Sequence, residues 1–202
     1  MFDRFTSAYP LDAGQPSPPA DVEPLRQVPG LAELVTLAAG LSFGDGILRV
    51  FTEEEARRAQ VLANRMWPEW APRLRPVAQD WMARQYVLDL HRGAALLLLD
   101  PGAAGVYELD GTIHELLDTA AIEDPDTFLS QHLFTAWRDL HPEPVPAGAC
   151  VGFKTPLFLG GPEAVENLEV VDEEVYWSIH GQLWAKVKDL PEGTPISGVE
   201  IN

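Results

Sequence analysis

From Val77 to Leu109 the chain passes through β-type segments punctuated by Asp89-Leu90-His91-Arg92-Gly93 and Asp100-Pro101-Gly102. Turn residues at this spacing predict hairpin connections, and successive hairpins predict an antiparallel sheet. Within that region Ala94-Ala95-Leu96-Leu97-Leu98-Leu99 is apolar without a break and bracketed by Arg92 and Asp100. It is far below the roughly 20 residues a membrane helix requires, so it reads as a buried strand or short core segment. Helical patterns on both sides make the expected fold class α+β, an antiparallel sheet flanked by helices.

Before the sheet, Pro10, Pro16, Pro18, Pro19, Pro24 and Pro29 deny regular backbone pairing, and residues 1–30 read as a proline-rich lead-in lying along the surface. Leu31, Leu34, Val35 and Ala38 recur at helical spacing, with Gly40 as a stop. Gly44-Asp45-Gly46 reads as a turn into a strand from Ile47 to Phe51. Thr52 and Glu55 form a capping box, and the helix they open should run toward Trp67, where Pro68 interrupts it.

After the sheet, Ile113, Leu116 and Leu117 predict a short helix. Asp124-Pro125-Asp126 should cap a longer one whose apolar stripe is Phe128, Leu129, His132, Leu133, Trp137 and Leu140. Pro142, Pro144 and Pro146 mark a boundary between a part ending at residue 141 and a smaller part over 142–202. The second part should contain a strand from Val151 to Leu159, a tight turn at Gly160-Gly161, an acidic segment and a final helix from about Asp172 to Val187.

Charge is unevenly placed. The formal net charge is −17, yet residues 1–100 carry 13 acids against 10 arginines, whereas 101–202 carry 18 acids against 4 bases. A field of that sign repels nucleic acid and anionic lipid, so direct binding to either is disfavoured. It would steer a basic protein, or serve only to keep the chain in solution. Cys150 is the single cysteine, which excludes an intramolecular disulfide and a multi-cysteine metal site and fits a reducing cytoplasm. The opening Met1-Phe2-Asp3-Arg4 lacks the pattern of a signal peptide.

Motifs for chemistry fail one by one. His114-Glu115 begins like a zinc helix, but Asp118 stands where the second histidine should fall. Asp124-Pro125-Asp126 opens like a calcium loop, but Leu129 occupies the turn-glycine position. Gly40, Gly44 and Gly46 precede a strand and lack the Lys-Ser/Thr ending of a phosphate cradle. Cys150 directly precedes an apolar run, where a buried thiol is inert. His91, His114, His132, His141 and His180 are scattered, with no nucleophile and orienting acid paired to any of them. No catalytic residue, cofactor or metal is expected.

Two stretches resemble known families. Val151-Gly152-Phe153, the aliphatic Pro156-Leu157-Phe158-Leu159, Gly160-Gly161 and Glu166-Asn167-Leu168 resemble the C-terminal domain of type VI secretion DNase immunity proteins. Phe43-Gly44-Asp45-Gly46-Ile47 and Leu97-Leu98-Leu99-Asp100-Pro101 resemble a GAD-like domain, expected over 31–141 and packed with a small α/β C-terminal part. The resemblance makes Gly44, Gly46, Gly152, Phe153, Gly160 and Gly161 structural motif positions. It implies a non-enzymatic cytoplasmic protein that binds and neutralises a cognate nuclease toxin by stoichiometric blockade. Under that reading Glu163, Glu166, Glu169, Asp172, Glu173 and Glu174 supply charge to a basic partner surface, and Tyr176, Trp177 and Trp184 are candidate aromatic anchors. Trp177 and Trp184 lie seven residues apart on one helix face, a spacing that equally suits the core. Oligomeric state stays open between monomer and homodimer. A small-molecule or regulatory ligand-binding module on the same scaffold is the alternative, and it requires a closed apolar pocket. A hydrolase would require a convergent cleft of histidine and carboxylate around His91 or His180.

Overall fold

A computed structural model describes residues 2–191 and Thr194; residues 192–193 and 195–202, the end of the expected C-terminal part, lie outside the described residues. The lead-in begins with a helix, α1 (Asp3–Ala8), which buries Phe5. The proline-rich stretch then lies along the sheet edge through a Leu11 to Phe43 bridge and a bond from Ser17 N to the Ala39 carbonyl. Helix α2 (Leu31–Ala38) follows as its periodicity predicts.

Strands β1 (Ser42–Phe43) and β2 (Leu48–Val50) are joined by a turn in which Gly44, Asp45 and Gly46 all have positive φ. Three successive residues in that region explain the two glycines, since a side chain there is strained. Thr52 caps α3 (Glu53–Met66) with the full reciprocal box to Glu55. Strands β3 (Leu74–Asp80), β4 (Gln85–Asp89), β5 (Ala95–Asp100) and β6 (Gly105–Leu109) complete a six-stranded antiparallel sheet in sequence order.

The apolar run is β5, and both of its faces are covered. Leu96 and Leu98 join one core with Tyr86 and Leu88, beneath α2. Leu97 and Leu99 join the other with Val87 and with Leu62, Ala63 and Met66 of α3. Side chains alternate along a strand, so an unbroken leucine run belongs in a sheet buried on both sides.

A Thr112–Glu115 capping box opens α4 (Ile113–Glu115), which runs through a π-turn over Leu116–Ala120 into α5 (Ala121–Glu123). Glu115 therefore caps the helix, and His114 stacks on Phe2 at 4.4 Å. The single long helix expected after Asp124 is two: α6 (Pro125–Leu129) and α7 (Gln131–Leu140), separated by Ser130 in the left-handed region. The kink corrects the expected stripe. Leu129 and Trp137 are buried and Leu133 is half-buried, while His132 and Leu140 face outward.

Strand β7 (Ala149–Phe153) stops four residues after Ala149, not at Leu159, because Pro156 cannot continue a ladder and Leu157–Leu159 coil into a short 3₁₀ turn. The acidic segment contains a strand the sequence reading did not foresee, β8 (Leu168–Asp172), paired antiparallel with β7. Helix α8 (Glu173–Val187) follows with Asp172 as its cap. Val151 N bonds to the Trp81 carbonyl at 3.0 Å, which fixes this small sheet against the β3–β4 turn. Val151, Phe153 and Leu168 enter the first core, and Cys150, Tyr176 and Trp177 the second, so the C-terminal part shares both cores with the rest.

Candidate protein-binding site

An open groove of about 770 Å³ lies where the C-terminal part meets the sheet. Gln79, Asp80 and Trp81, at the end of β3 and just beyond it, line it, with Glu55 and Arg58 from α3. Pro144–Ala149 and the first turn of α8, Asp172, Glu173 and Glu174, form the opposite side. Asp12, Asp45, Arg49 and Arg138 complete its charged lining, which holds seven acids against three arginines and neither histidine nor cysteine.

Several of these charges are already committed. Glu55 accepts from Thr52 N at 2.8 Å and from Arg49 Nη2 at 2.6 Å. Burial opposes its ionisation, but the Thr52 bonds and Arg49 hold its carboxyl below the usual range. Asp80 is buried and binds Arg84 Nε at 2.5 Å, with its carboxyl still pushed upward by burial. Arg138 donates to the Glu143 carbonyl at 2.8 Å.

Glu173 is less well satisfied. Among the described residues it accepts one bond, from Gln79 Nε2 at 3.0 Å. Burial raises its carboxyl, the Gln79 bond offsets this in part, Glu55 adds to the rise and Arg58 opposes it. Gln79 is 6 % exposed, and its Oε1 has no hydrogen-bond partner among the described residues. Among the groove acids, Asp172 accepts from Val175 N at 3.0 Å as the helix cap, and Glu174 pairs with Arg65 at 3.3 Å.

The residues singled out from sequence divide into three groups. Asp172, Glu173 and Glu174 come together at the groove. Glu163, Glu166 and Glu169 are exposed but stand outside it, in the loop before β8 and on β8 itself. Tyr176 and Trp177 are core residues, at 3 % and 2 % exposure, and offer no surface to a partner. Their burial corrects the expectation of two aromatic anchors there: Trp177 packs edge-on to Trp67 at 5.8 Å, and Tyr176 against His180. Trp184 is half-buried, edge-on to Phe158 at 5.6 Å.

The motif positions have evident local work. A Cβ on Gly152 would lie 2.5 Å from the Tyr176 ring, and one on Gly161 would lie 2.0 Å from the Thr155 carbonyl oxygen. Gly160 has φ +85°. Phe153 is buried beside Gly102. Sequence reasoning named Asn167 within the Glu166-Asn167-Leu168 motif but gave it no role, and it organises this loop: Nδ2 donates to the carbonyls of Thr155 and Pro162, and Oδ1 accepts from Thr155 N at 2.9 Å. Sequence reasoning missed Gln79, a polar residue next to Asp80 at the end of β3 that carries no motif of its own.

Burial, reinforced by Glu173, Asp80 and Asp172, pushes the Cys150 thiol well up. His180 is buried, its Nδ1 against the Tyr176 carbonyl at 2.9 Å, and burial lowers it to about 4. Among the described residues no cluster of three or more His, Cys, Asp or Glu is arranged to hold a metal ion. No helix among them is long and apolar enough to cross a membrane. An apolar cavity lined by Leu34, Val77, Tyr86, Leu96 and Leu116 among others has about 20 Å³, room for a single water-sized body and far short of a metabolite pocket.

Comparison with known proteins adds two findings. Residues 123–184 match the family described as T6SS immunity protein Tdi1, C-terminal. The fold is similar to the crystal structure of Atu4351 from Agrobacterium tumefaciens, with a TM-score of 0.63, 16% identity, and coverage of 90% of this chain and 89% of that one. At that identity the likeness is one of fold. No curated protein sequence matches the chain.

Proposed function

From the premise that residues 123–184 carry the C-terminal domain of the type VI secretion immunity protein Tdi1 family, we propose that this chain is an immunity protein. It binds a cognate nuclease toxin in the cytoplasm and neutralises it by stoichiometric blockade, without turnover of its own. The family match carries the reading. The charge supports it, because residues 101–202 hold 18 acids against 4 bases and a nuclease must present a basic face to phosphate.

The exposed acids Glu163, Glu166 and Glu169 lie on the loop and strand that precede α8. Their field accelerates encounter with a cationic surface, while the groove beside Asp172, Glu173 and Glu174 offers a concave seat for it. The division into a lead-in over 1–30, a GAD-like part over 31–141 and an immunity-type part over 142–202 belongs to the same proposal. The test is direct. The full chain is mixed with the nuclease encoded beside its gene, and complex formation is read by calorimetry and DNA cleavage by gel. A one-to-one complex that abolishes cleavage is expected; absence of a complex, with cleavage intact, rejects the reading.

A further inference from the structure

The partner-binding reading leaves open what the groove accepts, and its floor is specific about that. Among the described residues, Gln79 brings a buried amide oxygen with no donor, next to Glu173, a carboxylate that receives one bond where it could take several. Unpaired buried acceptors are costly to leave unmade. What the floor lacks is therefore hydrogen-bond donors, and what the rim lacks is positive charge.

The charges already present do not supply it. Arg49 is spent on Glu55, and Arg138 on the Glu143 carbonyl. Arg58 faces Glu173 from α3 and acts on it through charge, yet Glu173 remains pushed toward its neutral form. Asp172 stands next to Glu173 on the same side and adds to the deficit.

The geometry points to this groove as the receptor for an arginine side chain of the toxin, its guanidinium held by Glu173 over Gln79. The proposal rests on the immunity reading and names the chemistry of its contact. A guanidinium presents five N–H donors in a planar fork, so one group can serve a carboxylate and an adjacent amide oxygen together. A lysine ammonium is a point charge and serves such a pair less well. Glu163, Glu166 and Glu169, outside the groove, then govern the rate of encounter, while Glu173 governs the lifetime of the complex.

Two measurements test it. Against the toxin, Glu173→Gln should speed dissociation at least tenfold, with circular dichroism unchanged and Tm no lower than wild type, whereas a triple Glu163→Gln, Glu166→Gln, Glu169→Gln variant should mainly slow association. A folded E173Q chain that holds the toxin as long as wild type overturns the proposal while leaving the immunity reading in place. If wild type does not bind the toxin at all, the immunity reading fails, and the groove is judged separately by NMR with a capped Gly-Arg-Gly peptide. Saturable movement of the Gln79 side-chain amide, at least fivefold weaker with Gly-Lys-Gly and lost in E173Q, supports an arginine site; an unmoved Gln79 resonance, or equal response to both peptides, overturns it.

Discussion

The indole Nε1 of Trp177 donates to the Ala83 carbonyl at 3.2 Å, joining α8 to the β3–β4 turn across 94 residues of sequence. Ala83 itself has φ +59°, so the carbonyl that receives this bond projects from a turn that an ordinary side chain enters only at a cost. The C-terminal helix is thereby fixed against the β3–β4 turn.

Removing that bond should destabilise the whole molecule. Trp177→Phe leaves the buried Ala83 carbonyl without its donor and should cost about 1–3 kcal/mol. Trp177→Ala adds a cavity and should cost about 3–5 kcal/mol. Urea unfolding followed by far-UV circular dichroism reads both; equal midpoints for wild type and W177F would mean the bond contributes nothing.

Each of three substitutions in the double-glycine loop should destabilise the fold for its own reason. Asn167→Ala leaves the Thr155 N–H and carbonyl without partners and should cost about 1–3 kcal/mol. Gly161→Ala forces Cβ onto the Thr155 carbonyl and should be at least as damaging as overpacking elsewhere, about 1–3 kcal/mol. Gly160→Ala meets open space and pays only for its positive φ, about 1–2 kcal/mol. Thermal scans of the three variants check the set, and a silent G161A would show that the loop moves freely.

Stability should fall on acidification through His180. Its folded value is about 4 against an ordinary 6.5, so the unfolded chain takes up the proton first. The contribution is complete above pH 6.5 and is lost as the pH drops toward 4, by about 2 kcal/mol between pH 7 and pH 5. Glu173, whose carboxyl is raised, acts in the opposite sense. The quantity to measure is therefore the difference in unfolding free energy between wild type and His180→Phe across that interval. A difference that stays flat from pH 7 to 5 contradicts the assignment.

Reversing Glu163 and Glu166 to lysine should leave folding within about 0.5 kcal/mol of wild type, since both side chains are exposed. Association with the toxin should slow, and its dependence on salt should flatten. Stopped-flow measurements over a salt series decide it: unchanged rate and unchanged salt slope would remove these acids from the encounter.

At equilibrium, Glu173→Gln should raise or preserve Tm at neutral pH and lose that advantage in acid. The raised carboxyl disfavours the charged form in the fold, so the penalty exists only where Glu173 would be ionised. Calorimetric scans at pH 7 and pH 4 test this, and a lower Tm for the variant at pH 7 would contradict it.

Much of the molecule is legible in local sequence. The Thr52 and Glu55 box, the Gly44-Asp45-Gly46 turn and the hairpin signals around Asp89 and Asp100 each act within a few residues, and the structure holds them where the pattern put them. The Thr112 and Glu115 box was equally local and was readable from the same spacing. Ser130 was not, because a non-glycine residue in the left-handed region carries no sequence signature, and its kink divides the helix that periodicity joined.

The sequence by itself determined the antiparallel sheet, most of the helices and the acidic excess of the second half, since periodicity, turn chemistry and charge are properties of neighbours along the chain. Only the tertiary structure decided that Tyr176 and Trp177 are core while Glu173 sits beside Gln79. That juxtaposition spans 94 residues, and it arises because α8 must bury its aromatic face on a sheet whose other residues were laid down far earlier. Burial and unpaired acceptors are relations between distant segments, so they come into being only when the segments pack.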